Sequence, residues 1–166
     1  MDVIVAGVGG QGVLSASVLI AEASLRQGLS VKTVETRGMA QRGGPVCAHV
    51  RMSDAVVRSA VIPVGQADVI LAIEPAEGVR YLHCLRQGGV VLANAEPFAD
   101  MIDASQTSQI LALLQKAERC VLLDASTSAK KFGSPRSANL VMLGAAARVL
   151  PVDVKHFEAA LRDRFE

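Results

Sequence analysis

The chain has 166 residues, a length that suits one domain with a real core, since at this size roughly 70% of the unfolded chain's surface is buried on folding. Apolar residues make up 51% but aromatics only 3%, with no Trp, so small aliphatic side chains must fill the core and helices can lie close to a sheet. A formal net charge of +1 argues against a broad nucleic-acid surface, because phosphate-tracking domains carry a clear basic excess.

Cys47, Cys84 and Cys120 are odd in number, far apart and set in apolar surroundings, with no C-x-x-C pair. That pattern fits reduced, buried thiols and excludes a locally encoded iron–sulfur or zinc site. The sequence opens on a strand pattern without a basic flank and cleavage site, and no apolar run reaches the ~18 residues of a spanning helix. The expectation is a soluble, cytoplasmic protein that contacts neither membrane nor nucleic acid.

In chain order, the apolar run Val3–Ala6 reads as a first strand and Val13–Gln27 as a helix with Leu14, Val18, Ala21 and Leu25 on one stripe, stopped by Gly28. Val31–Glu35 follows as a second strand. Val46–Met52 alternates apolar and polar residues, as a strand with one wet face does, and Ser53-Asp54 turn into Val56–Ile62, which predicts an antiparallel hairpin. Val69–Ile73 is apolar throughout and suits a central strand covered on both faces. A helix over Ala76–Gln87 is expected to stop at Gly88-Gly89. Val90–Asn94 and Cys120–Asp124 read as strands around a helix over Gln106–Glu118. Ser137 is positioned to cap a helix over Ala138–Leu150, and Asp153 a last helix with Val154, Phe157, Leu161 and Phe165 on its stripe. Alternation of this kind predicts one α/β domain over residues 1–166: a three-layer α/β/α sandwich with a mostly parallel, Rossmann-like sheet and an antiparallel hairpin excursion after the second glycine loop.

Two glycine-rich loops carry the chemical information. Gly7-Val8-Gly9-Gly10-Gln11-Gly12 lies between the first strand and first helix, the context that a phosphate-cradling loop requires; Gly38-Met39-Ala40-Gln41-Arg42-Gly43-Gly44 follows the second strand. Glu35 stands about twenty residues past the first glycines, where a dinucleotide fold places the acid that binds a ribose. No substrate domain with an acid and a base accompanies it, which counts against a free-standing dehydrogenase. Arg37 and Arg42 suit either an anion near the positive end of the first helix or a pairing with Glu35 or a neighbouring chain. His49, His83 and His156 have no partner in a triad or metal spacing and read as structural. The basic stretch Lys130–Arg136 sits after a strand's carboxyl end, where α/β domains bind ligands, although solvated surface explains it as well.

The two loops, together with Ile62-Pro63, Ala67-Asp68-Val69, Glu74-Pro75, Ser134-Pro135-Arg136, Asn139 and Leu143-Gly144, resemble the gamma-type domain of 2-oxoacid:ferredoxin oxidoreductases over nearly the whole chain. The form Gly-Val-Gly-Gly-Gln-Gly with Gly-Met-Ala-Gln-Arg-Gly-Gly is closest to the beta-subunit type of the indolepyruvate branch. The resemblance implies a subunit that shares in oxidative decarboxylation of an aryl pyruvate to acyl-CoA and CO2, with electrons passed to ferredoxin. It implies that thiamine diphosphate, Mg2+ and [4Fe-4S] clusters sit on a large partner subunit, through which ferredoxin is reached, and that CoA is cosubstrate. By the same resemblance Gly7, Gly9, Gly10, Gln11, Gly12, Gln41, Arg42 and Gly43 would line the face turned towards the partner's active site or towards CoA; no catalytic or metal residue is implied. Arg37 and Pro45 depart from the common pattern, which leaves a pyruvate-type or other 2-oxoacid open. A stand-alone nucleotide-binding regulatory module is the reading from a different class.

Overall fold

The computed structural model describes residues 1–38, 43–97, 103–134 and 137–165. Six strands form one sheet: β1 (Asp2–Val8), β2 (Ser30–Arg37), β3 (Pro45–Ser53), β4 (Ala67–Ala72), β5 (Leu85–Asn94) and β6 (Arg119–Leu123), in the order β2-β3-β1-β4-β5-β6. β1, β4, β5 and β6 run parallel, whereas β3 is antiparallel to both of its neighbours. The expected antiparallel excursion therefore exists, but its hairpin joins β2 to β3 across the second glycine loop. The segment 56–62 forms no strand. β3 already spends one edge on β1 and the other on β2, so nothing remains for 56–62 to pair with.

Alternation along β1 divides the core in two. Val3 and Val5 face a cluster with Leu19 and Ile20 of α1 (Val13–Arg26), Met142 of α5 (Ala138–Ala146) and Phe157 of α6 (Val154–Phe165). Ile4 and Ala6 face the other cluster, which includes Leu114 of α3 (Ala104–Leu114) and Val79 of α2 (Pro75–Arg80). Each large aliphatic side chain buried in this way contributes about 1.5–3 kcal/mol. Helices on both faces of a sheet whose central strands are buried make the three-layer sandwich.

Helix ends explain most of the boundary differences. α1 closes as Gly28 enters the left-handed region (φ 91°): its N–H donates to Leu25 O at 2.9 Å and the Leu29 N–H to Ser24 O at 3.1 Å, the paired bonds of a Schellman stop. α3 begins at Ala104 rather than Gln106 because Asp103 accepts the Gln106 N–H while the Gln106 side chain accepts the Asp103 N–H, a capping box. The expected helix over Ala76–Gln87 breaks after Arg80 into a 3-10 turn over Leu82–Cys84, since Leu85 is already paired with Ala67. Gly88-Gly89 are thus inside β5, where the pairing with β4 shifts register, and do not stop a helix. α4 (Ala125–Lys131) was not foreseen: Asp124 ends no strand but caps a helix, accepting the Thr127 N–H at 2.9 Å. α5 ends at Ala146 in tighter turns. Ser137 makes no side-chain cap, its hydroxyl lying 2.7 Å from that of Ser134.

Candidate functional site

A cleft of about 550 Å³ opens at the carboxyl end of β1. Val8, Gly9, Gly10 and Gly12 form one wall, Val13 and Leu14 of α1 another, and Arg37, Gly38 and Val46 of the β2–β3 hairpin the third. Gly12 is the N-cap of α1 in the left-handed region (φ 81°) and supplies no capping side chain, so the positive end of the helix faces the cleft uncapped. A Cβ on Gly12 would lie 2.2 Å from Asn139 Nδ2, whose amide reaches the Gly12 carbonyl at 3.5 Å. Only glycine fits both the dihedral and the space.

The two glycine loops are zipped together: the Gly9 N–H donates to Gly44 O at 2.9 Å and the Gly43 N–H to Gly9 O at 3.3 Å. The Gly9 and Gly43 amides are thus spent on the opposite loop and are not free to cradle an anion. The turn is fixed from behind. Gln11 Oε1 accepts the Val8 N–H at 2.9 Å, and Gln11 Nε2 donates to the buried carboxylate of Glu74 at 2.9 Å. Gln11 therefore turns into the protein instead of lining the cleft, and Gly7 stands behind it: a Cβ there would meet Val13 Cγ2 at 2.6 Å and Gln11 Oε1 at 2.9 Å. Of the residues singled out in sequence, Gly9, Gly10 and Gly12 border the cleft, Gly7, Gln11 and Gly43 build its frame, and Gln41 and Arg42 lie outside the described residues.

Glu35 does not stand free for a ribose. Arg37 Nη2 pairs with its Oε2 at 3.0 Å and Ser17 Oγ lies 3.4 Å from its Oε1, so the acid and the basic residue at the cleft rim answer each other. His49 is structural, as expected: its Nδ1 accepts the Ile62 N–H at 3.0 Å, and burial, with Arg51 adding to it against Asp2, lowers its pKa below 6.5. Burial pushes the Cys47 thiol up to about 11, against a hydrogen bond from Tyr81, so it is an inert core thiol at neutral pH. Buried polar groups that sequence reasoning passed over gather at the same end of the sheet. Asn94 Oδ1 accepts the Ala125 N–H at 3.2 Å and its Nδ2 donates to Glu96 O at 2.7 Å. Glu77 takes an Arg80 N–H at 3.3 Å on Oε1, with Arg80 Nε 3.0 Å from Oε2 but outside hydrogen-bond geometry. Among the described residues no group of three or more His, Cys, Asp or Glu could hold a metal ion; the cysteines lie on β3, in the turn before β5 and on β6. No helix among them is long and apolar enough to cross a membrane.

A protein-family profile described as pyruvate ferredoxin/flavodoxin oxidoreductase matches residues 2–166. The chain belongs to this family. It is 40% identical to indolepyruvate oxidoreductase subunit IorB of Archaeoglobus fulgidus, covering 98% of this chain and 85% of that protein. Among solved structures, the gamma subunit of a keto/oxoacid ferredoxin oxidoreductase from Geobacter sulfurreducens superposes with a TM-score of 0.73 at 26% identity, over 99% of this chain and 86% of that one. 2-Oxoglutarate:ferredoxin oxidoreductase from Magnetococcus marinus, solved with 2-oxoglutarate, coenzyme A and succinyl-CoA bound, superposes at 0.78 with 25% identity, covering 99% of this chain but 27% of that one. Among these structures the fold thus occurs both as a separate gamma subunit and as part of a longer chain, and the expected gamma-type fold is what the sheet and its helices form.

Proposed function

We propose that this chain is the accessory subunit of a ferredoxin-linked indolepyruvate or aryl-pyruvate oxidoreductase, a single domain over residues 1–166 that turns its glycine cleft towards the active site of a large partner. The reaction is oxidative decarboxylation of the 2-oxoacid to its acyl-CoA, with release of CO2 and transfer of two electrons to ferredoxin. The observation that carries this reading is the cleft itself: an uncapped helix N-terminus, glycine walls and Arg37 at the rim suit an anionic group at the position where the family signature lies. The 40% identity with an indolepyruvate oxidoreductase subunit supports the aryl substrate.

Thiamine diphosphate, Mg2+ and [4Fe-4S] clusters belong to the partner subunit in this reading, for this chain's scattered thiols, Cys47 and Cys84 buried and Cys120 partly exposed, do not fit a cluster. The residues that wall the cleft, Gly9, Gly10 and Gly12, together with Gln41 and Arg42, make the surface offered to the partner and to CoA, and Gly7, Gln11 and Gly43 hold that surface in shape from behind. The chain's own part is to bind and orient: apolar Val8, Val13, Leu14 and Val46 exclude water around a polar rim. It works in the cytoplasm, where free thiols persist.

Anaerobic purification of the tagged chain from its own cells tests the reading. A large co-purifying chain with iron and thiamine diphosphate, and indolepyruvate- and CoA-dependent reduction of ferredoxin by that complex, is the expected result. A lone chain that retains a nucleotide would overturn it in favour of a sensor.

A further inference from the structure

We infer that Glu74 and Gln11 are the positioning residues of the cleft: Glu74, acting through the side-chain amide of Gln11, sets the backbone of the Val8–Gly12 turn that forms its wall. The argument starts from a closed circuit of hydrogen bonds. The carbonyl of Ala6, at the end of β1, accepts the N–H groups of Ile73 and Glu74 at 2.8 and 3.3 Å, which brings the end of β4 and the start of α2 beside the turn. The Glu74 carboxylate then takes Gln11 Nε2–H at 2.9 Å, Gln11 Oε1 takes the Val8 N–H at 2.9 Å, and the Gln11 N–H returns to Val8 O at 3.2 Å. Every link joins a donor to an acceptor. The Val8 amide needs an oxygen and the carboxylate needs a donor, so the circuit also fixes which way the Gln11 amide points.

Glu74 is 6% exposed, and a buried carboxylate that accepts a hydrogen bond makes a stronger contact than a neutral acceptor would. Its effect reaches the cleft because Val8 lines it directly and Gly9, Gly10 and Gly12 are the next residues of the same turn. Glycine at position 7 completes the device, since any side chain there would collide with Gln11 Oε1 and Val13. Neither Glu74 nor Gln11 borders the cleft, so their influence on a ligand passes through backbone alone.

The circuit has a polarity that mutation can reverse. Gln11→Glu removes the Nε2 donor from this link and sets two carboxylates against each other, which breaks it. Adding Glu74→Gln restores a donor on the opposite side: the new amide donates to the carboxylate at position 11, which still accepts the Val8 N–H. The single Glu74→Gln variant keeps an amide oxygen for Gln11 Nε2 and so keeps the circuit, which guards against a pair that merely fails to fold.

The proposal rests on the reading of the cleft as a CoA-facing surface, and two readouts separate the two ideas. In the full-length chain, hydrogen exchange at the Val8 amide is slow in wild type and in E74Q, fast in Q11A and Q11E, and slow again in Q11E/E74Q. In the assembled complex, Q11E raises KM for coenzyme A about tenfold with kcat held, and the double variant returns it to within about threefold of wild type. Unchanged Val8 protection in Q11A and Q11E, or a double variant no better than Q11E in exchange, overturns the circuit. Exchange that follows the expected pattern while KM for coenzyme A stays constant throughout supports the circuit and contradicts the CoA-facing reading instead.

Discussion

At the carboxyl ends of the parallel strands side-chain amides and a buried carboxylate hold glycine-rich backbone, whereas at the amino ends the polar contacts centre on partly exposed ion pairs that also take nearby backbone groups, the Asp2 N–H donating to Asp68 Oδ2 at 2.7 Å and Arg51 Nη1 to the Ser59 and Val61 carbonyls at 3.3 and 3.1 Å. Gln11, Glu74, Asn94 and Asn139 each bond to a loop or to another element at the glycine end. At the opposite end Arg51 pairs with Asp2 and Arg86 with Asp68, with Arg86 47% and Asp68 21% exposed. The difference follows from what each end must do. A cleft wall built of glycine has no side chains to hold it, so neighbouring elements must supply the hydrogen bonds; the strand starts are held by charged pairs that water still reaches. Buried contacts of the first kind cost much when one partner is removed, while exposed ion pairs yield at most ~1 kcal/mol.

The sharpest way to break this contrast is at Gly12. Gly12→Ala forces a side chain into a positive-φ position and against Asn139, and should destabilise the chain by about 2–3 kcal/mol in urea unfolding. A loss below about 0.5 kcal/mol would show that the turn relaxes freely and that its frame is not rigid. Gln11→Leu comes next, at about 1–3 kcal/mol, because it leaves both the Val8 N–H and the Glu74 carboxylate without this partner.

His49 gives a pH test between the two extremes. Its lowered pKa means that the unfolded chain takes up the proton first as pH falls, so the stability it contributes is whole above about pH 6.5 and lost progressively below it. The Ile62 N–H bond to Nδ1 exists only in the unprotonated form at that nitrogen. Denaturant midpoints measured from about pH 7.5 down to about 5.5 should fall, and His49→Gln should flatten that part of the profile. The smallest effect is expected at the amino end: Arg86→Ala should cost under about 1 kcal/mol, and less again in high salt. A large, salt-independent loss there would erase the contrast.

Much of this architecture is legible in the chain, and the parts that are not share a cause. The apolar runs of β1 and β4 and the stop of α1 at Gly28 are local patterns, and they appear where the sequence places them; the stripe of α1 does not, for the helix buries Val13, Ala16, Leu19, Ile20 and Ala23 and leaves the expected Leu14 and Leu25 exposed. The glycine loop is equally local, and its position after β1 follows from the strand–turn–helix order. What could not be read is which distant group a side chain meets. Gln11 looked like a cleft residue because its neighbours are; only the fold brings Glu74, at the end of another strand, within 2.9 Å of it. The segment 56–62 has strand composition, yet the edge it would need was taken by β2. The capping residues Asp103 and Asp124 are signals the sequence does carry, each three residues before the N–H it accepts, that of Gln106 and that of Thr127.

The measurement that bears most directly on the account is reconstitution: anaerobic assay of indolepyruvate-dependent ferredoxin reduction, in the presence of CoA, by the large partner alone, by this chain alone and by the two mixed at increasing ratios. The account predicts no turnover from either alone and activity that saturates as the chains reach their complex. Full turnover by the partner without this chain, or nucleotide binding by this chain in isolation with no effect on the partner, would contradict it.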